Sequence, residues 1–191
     1  MTEQHNPTQD FDFNSKSDHT NLEENLITDV EVQIEKIAER KRQITAKIQI
    51  PQSIEQVWKV LTDYEALADF IPNLAKSRIL PHPTGGIRLE QVGSQRVLNV
   101  NFCARVVLDL EEYELKAINF QMVEGDFKDY SGNWYLEPCY IGEDNIGTNL
   151  CYTVNIWPKL VMPVTIIERR LKNDLQLNLL AIRQRVGELA S

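Results

Sequence analysis

The chain has 191 residues, 42% of them hydrophobic, which is enough for one domain of ordinary size with length to spare. Its formal charge of −8 belongs to one end: residues 1–35 hold nine acids and one base, and the other 19 acids and 19 bases cancel. A neutral body behind an acidic segment offers a phosphate backbone no general attraction, so no nucleic acid is expected as a partner.

Residues 1–29 are polar and acidic, with too little apolar area to offset the entropy of ordering them, and are expected to form a disordered N-terminal tail. The opening MTEQHNPTQD has no apolar core, so no signal peptide is expected. Nothing approaches 18 uninterrupted apolar residues, and no membrane-spanning helix is expected. One domain should therefore run from 30 to 191. Val30, Val32 and Ile34 alternate with polar residues, as do Ile44, Ala46, Ile48 and Ile50, which predicts strands with one dry face. After Pro51, Ser53 and Gln56 have the form of a capping box, and Ile54, Val57, Trp58 and Leu61 fall on one face of a short helix. TDYEALADFIP predicts a second short helix, with Thr62 or Asp63 as cap, Leu67, Phe70 and Ile71 inward and Pro72 as the stop.

Beyond Pro81 the pattern is all strand. Ile87 to Val92 follows the Gly85-Gly86 turn, and Gly93-Ser94 separates it from Arg96 to Leu110. Leu115 to Val123, a segment containing Trp134 and Leu136, and Thr148 to Trp157 complete the series. Connections too short for crossover helices make these strands antiparallel neighbours. After Pro163, Ile167, Leu171, Leu175, Leu179, Ile182, Val186 and Leu189 recur at steps of three and four, predicting a helix of about 25 residues with a continuous apolar stripe. The class is α+β: an antiparallel sheet with one apolar face and a long amphipathic helix to cover it. If the sheet curves strongly, the helix need not fill the concave side, and the remainder is a ligand cavity.

The segments IEQVWKVLTDYEALADFIPNL, VVLDLEEYE and EGDFKDYSGNWYL, with the final long helix, resemble the polyketide cyclase/dehydrase and Coq10-like branch of the START-like (SRPBCC) superfamily, closest to its cyanobacterial members, over about residues 30–190. The resemblance implies a helix-grip fold: a curved antiparallel sheet wrapped around a long C-terminal helix, two short helices after the first main strand, and a deep hydrophobic cavity. Members of the superfamily bind lipids, isoprenoid quinones, sterols, plant hormones or polyketides, and only some perform chemistry. The implied function is binding or carrying a hydrophobic small molecule, a prenylquinone or other lipid. Two alternatives stand beside it: a metal-independent cyclase/dehydrase acting on a polyketide or aromatic precursor, and an interaction domain with a collapsed cavity. Converging polar groups deep in the cavity favour the enzyme, and a closed interior favours the interaction domain.

Candidate ligand-cavity residues follow. Tyr64, Phe70, Ile71 and Pro72 either frame the cavity entrance or seal helix against sheet, and Trp58 and Trp134 offer flat apolar surfaces that suit a bound ring or a core. Arg105 either faces a polar ligand group inside or lies on the wet side of the sheet. Tyr152, Tyr130 and Arg105 are the groups available to an enzyme as general acid or base, and Ile167, Leu171 and Leu175 are placed on the helix wall of the cavity. No residue is assigned as catalytic. His5 and His19 lie in the acidic segment and His82 stands alone between prolines, so neither a metal site nor a cofactor is expected. Cys103, Cys139 and Cys151 suggest small apolar residues in a reducing compartment, hence a cytoplasmic protein. Arg169, Arg170, Lys172, Arg183 and Arg185 on the last helix suit transient peripheral contact with an anionic membrane. No protein partner can be named from the sequence.

Overall fold

The computed structural model describes residues 29–97, 100–141 and 145–191. The expectation of a disordered acidic tail therefore lies outside the described residues, except for Asp29. The elements are β1 (Glu31–Lys36), β2 (Arg42–Ile50), α1 (Ile54–Thr62), α2 (Leu67–Phe70), β3 (Leu74–Leu80), β4 (Ile87–Val97), β5 (Val100–Tyr113), β6 (Ala117–Gly125), β7 (Asp129–Ile141), β8 (Asn145–Trp157) and α3 (Val164–Ala190). The strands form one antiparallel sheet in the order β1-β2-β8-β7-β6-β5-β4-β3. This is the helix-grip arrangement, with α3 against the sheet and the two short helices between β2 and β3.

Period-two burial is clearest where the helix seals the sheet. Ile44, Ala46, Ile48 and Ile50 of β2 are buried, as are Leu150, Tyr152, Val154 and Ile156 of β8. Their register pairs Ile44 with Val154, Ala46 with Tyr152 and Ile48 with Leu150, so the two alternating sets share one face. Against it lie Leu175, Leu179, Ile182 and Val186 of α3 and Val57, Val60 and Leu61 of α1. Two ion pairs hold α3 on this side: Arg42 Nε to Glu168 Oε2 at 2.7 Å and Arg183 Nη1 to Asp29 Oδ2 at 3.0 Å.

One strand was not anticipated, and two local expectations are corrected. First, β3 occupies Leu74–Leu80, a segment whose apolar residues do not alternate; it is an edge strand in which Ser77 alone is buried. Second, β4 continues through Gly93-Ser94 to Val97. Gly93 pairs with both Leu74 and Ala104, and Ser94 N–H donates to Asn73 O at 2.8 Å, so this Gly-Ser pair is extended backbone. Third, neither Thr62 nor Asp63 caps the second helix with its side chain. That helix is one turn beginning at Leu67; Asp63 contributes its carbonyl to Ala66 N–H at 3.1 Å, and Thr62 Oγ1 donates back to Trp58 O at 2.9 Å. At α1 the expected returning bond is present, from Ser53 N–H to Gln56 Oε1 at 3.2 Å.

Candidate functional site: a cavity between sheet and helix

A cavity of about 570 Å³ lies between α3 and the concave face of the sheet, within the roughly 300–1,000 Å³ usual for small-molecule sites. An interior this open argues against the collapsed-cavity alternative. Its floor is built from inward positions on successive strands: Leu89 of β4, Val106, Leu108 and Leu110 of β5, Ile118 and Phe120 of β6, Tyr130 and Trp134 of β7, and Tyr152 and Ile156 of β8. The spacing of two or four residues within each strand puts these side chains on one face. Ile167, Leu171, Leu175 and Ile182 of α3 form the roof, and Leu61, Tyr64, Leu67 and Ile71 close one flank. Pro72, Val161 and Ile166 line the cavity and are also exposed, Val161 at 87%, which marks the mouth between the α2–β3 corner and the β8–α3 loop.

The floor is aromatic. Trp134 and Tyr152 are cross-strand partners whose rings stack with centroids 3.6 Å apart and planes within 5°. Phe120 lies 5.7 Å from Tyr130 and 6.1 Å from Tyr152, and Phe127 stacks on Tyr130 at 5.7 Å. Gly132 makes this packing possible: a Cβ there would meet Thr153 O at 1.9 Å and Phe120 Cζ at 2.6 Å. The glycine of the GNW motif thus leaves room for a ring to lie across β7.

A small polar group interrupts the apolar lining. Tyr130 and Tyr152 hydroxyls are 3.4 Å apart, and Asn73 Nδ2 donates to Asp174 Oδ1 at 3.2 Å. Burial pushes both phenols and the Asp174 carboxyl above their ordinary values; for Asp174 the nearby Arg170 and the Asn73 hydrogen bond pull the other way. Asn178, one turn beyond Asp174, also lines the cavity, and its Oδ1 is buried without a hydrogen-bond partner. Among the described residues, no group of three His, Cys, Asp or Glu is placed to hold a metal ion.

The sequence candidates separate by position. Tyr64, Ile71, Pro72, Trp134, Tyr152, Ile167, Leu171 and Leu175 are on the cavity wall. Tyr64 is also a structural pin, since its hydroxyl donates to Glu112 Oε1 at 2.5 Å and its carbonyl accepts from Ser77 Oγ at 2.6 Å; burial, reinforced by Glu112, raises its phenol. Trp58, Phe70 and Arg105 are not part of the wall. Trp58 packs against the core as a half-buried side chain, and Phe70 sits beneath the Arg185 guanidinium, 5.8 Å from the ring centroid. Arg105 belongs to the opposite face of the sheet from Val106 and Leu108, where it binds Glu90 Oε1 at 2.7 Å and Glu124 Oε1 at 2.5 Å. Glu90, only 5% exposed, also receives Lys76 at 2.6 Å and Arg78 at 3.0 Å. The Lys76 and Arg105 hydrogen bonds hold its carboxyl down to about 2. His82 likewise serves the fold, its Nδ1 accepting from Gly86 N–H at 3.0 Å in the β3–β4 turn while Nε2 lies 3.3 Å from Asp109. The cysteines are unpaired; Cys103 is exposed and the other two half-buried, so none is a core residue.

Sequence reasoning singled out the apolar stripe of α3 but not Asp174 and Asn178, and it placed Arg170 with the outer basic residues suited to a membrane; all three line the cavity. Their signal was a second series at steps of four running beside the stripe.

Residues 50–180 match the polyketide cyclase/dehydrase and lipid transport family. The chain belongs to that family. No curated relative matches the sequence. Solved structures share the fold at low identity. The Zhui aromatase/cyclase from a Streptomyces species is 16% identical, with a TM-score of 0.63 over 79% of this chain and 96% of that one. A START superfamily protein from Mycobacterium smegmatis is 18% identical, with a TM-score of 0.62 over 77% and 98%. The STAR-related lipid transfer protein from Xanthomonas axonopodis is 17% identical, with a TM-score of 0.58 over 82% and 98%. Membership in this cyclase and lipid-transport family accounts for a cavity whose wall is mostly apolar, since both named activities need a place for a hydrophobic molecule.

Proposed function

We propose that residues 30–191 bind and carry one hydrophobic small molecule, a prenylquinone or related lipid, in the cavity beneath α3. The observation that carries this reading is the 570 Å³ space floored by Phe120, Tyr130, Trp134 and Tyr152 and roofed by aliphatic side chains. At about 25 cal/mol per Å², a guest losing roughly 300 Å² of apolar surface to such walls gains about 7 kcal/mol before the cost of immobilisation. The Coq10-like resemblance supplies the quinone, and a cytoplasmic protein that visits a membrane to collect its cargo fits the mouth. There Leu160, Val161 and Ile166 are exposed beside Lys159, and Lys128 lies 5.1 Å from the ring centroid of exposed Trp157. Among the described residues no helix is long and apolar enough to cross a membrane.

A second reading, metal-independent cyclisation or dehydration of a polyketide or aromatic precursor, is favoured by one observation: Asp174, Tyr130 and Tyr152 are ionisable groups that line the same cavity, each raised by burial. Organic extraction of freshly purified protein followed by mass spectrometry separates the two. The carrier reading expects one unaltered prenylquinone or lipid per chain. A polyketide-derived product, with its formation lost in Asp174→Asn while binding persists, establishes the enzyme instead.

A further inference from the structure

The polar lining is unequal in what it offers. Asp174 and Asn178 are four residues apart on α3, hence neighbours on one helical face, and both line the cavity. Asn178 Oδ1 is buried with no donor, and an unmade hydrogen bond at such an atom is costly. Asp174 can only accept when ionised, and Asn73 supplies it one donor. Arg170, a cation on this wall, already acts on Asp174 through its charge. The α3 side of the cavity therefore holds one unanswered acceptor, Asn178 Oδ1, close to the Asp174 carboxyl. Across from it, the Tyr130–Tyr152 pair uses one hydroxyl proton internally and keeps a second to give away.

We infer that the cavity selects an uncharged amphiphile whose head both donates and accepts a hydrogen bond, a phenol, quinol or alcohol, over one whose head only accepts, such as a quinone, ether or carboxylate. This rests on the carrier reading and narrows its cargo to a hydroxyl-bearing head, so that a prenylquinone is expected in its reduced, quinol form. A hydroxyl can donate to Asn178 Oδ1 or Asp174 and accept from the tyrosine pair. A quinone or ether meets the tyrosines and leaves Asn178 Oδ1 without a donor, and a carboxylate adds a charge that must be buried beside Asp174. Sites that hydrogen-bond a hydroxyl reject analogues lacking it more strongly than apolar pockets reject a missing methylene, because their own polar groups are stranded.

The test is isothermal titration of the full chain with para-dodecylphenol, its methyl ether and dodecanoate. The phenol is expected to bind at least about tenfold tighter than the ether, with dodecanoate weaker than the phenol. In Asn178→Leu the phenol-to-ether ratio should fall toward one. Equal affinities for phenol and ether in the unmodified protein, or tighter binding of dodecanoate, overturn the inference and leave the carrier reading standing. Failure of all three to bind overturns the carrier reading and the inference with it. The ratio in the unmodified protein decides even if Asn178→Leu does not fold, and Asn178→Ala provides a smaller change at the same atom. A ratio unchanged in a folded variant removes Asn178 from the recognition.

Discussion

Along β2 and β8, Ile44, Ile50, Leu150 and Val154 are completely buried against Leu179, Ile182 and Val186 of the long helix, whereas along β5 and β6 the inward residues Leu108, Leu110 and Phe120 face empty space. The same helix covers both regions. Its diameter with side chains is about 10 Å, and eight strands about 4.8 Å apart span more than 30 Å. One helix can seal only part of such a sheet. The ion pairs of Arg42 with Glu168 and Arg183 with Asp29 hold it toward the β1–β2 side, so the deficit falls on the other. A cavity is the consequence of where the helix is fastened, and stability and binding should depend on different residues of α3, with Leu175 and Ile182 serving both.

The largest expected effect tests that division. Leu179→Ala, in the sealed region, should cost about 2–5 kcal/mol in urea unfolding, and Leu171→Ala, on the cavity roof, less than about 1 kcal/mol because its neighbours already border a void. Equal costs would mean that the helix packs alike on both sides.

A subtler contrast sets the outer face of the sheet against the cavity side of α3 through pH. Glu90, depressed to about 2 chiefly by Lys76 and then Arg105, contributes stability above its ordinary value of 4.5 that is lost as pH falls through about 2. Glu90→Gln should therefore melt lower at neutral pH, with the deficit shrinking in acid. Asp174 is raised by burial, so its ionised form is penalised in the folded state and stability falls as pH rises beyond its ordinary value of 3.8. Asp174→Asn should melt higher at neutral pH, and the gain should vanish at low pH. Thermal unfolding followed by circular dichroism across pH 2 to 8 checks both signs; the same sign for both variants would break the contrast.

The smallest expected effect concerns the outer surface of the mouth. Phe70 meets Arg185 and does not line the cavity, so Phe70→Ala should leave the affinity for para-dodecylphenol within about twofold in fluorescence titration. A tenfold loss in a folded variant would extend the site beyond the wall described above.

What could be read in advance follows the same physical division. The recurrence from Ile167 to Leu189 specified α3 because a long amphipathic stripe has few alternative uses, and alternation in β2 and β8 specified the sealed face. Edge strand β3 was illegible because Leu74, Ala75, Ile79 and Leu80 keep no period, and Gly93-Ser94 resembled a turn although both residues are extended within β4. At the site, Trp134 and Tyr152 were accessible as bulky residues in strands. Asp174 and Asn178 were hidden because polar helix residues ordinarily face water, and only the unfilled space beneath α3 turns them inward. Alternation separated Arg105 from Val106 and Leu108, but the concave face became evident only once the helix was in place.

Native mass spectrometry of the full chain titrated with para-dodecylphenol, alongside Leu171→Trp, tests most directly whether the space beneath α3 holds a hydrophobic guest. A one-to-one adduct in the unmodified protein that disappears when the indole fills the roof is the predicted result. No adduct in the unmodified protein, or the same adduct in both, would contradict it.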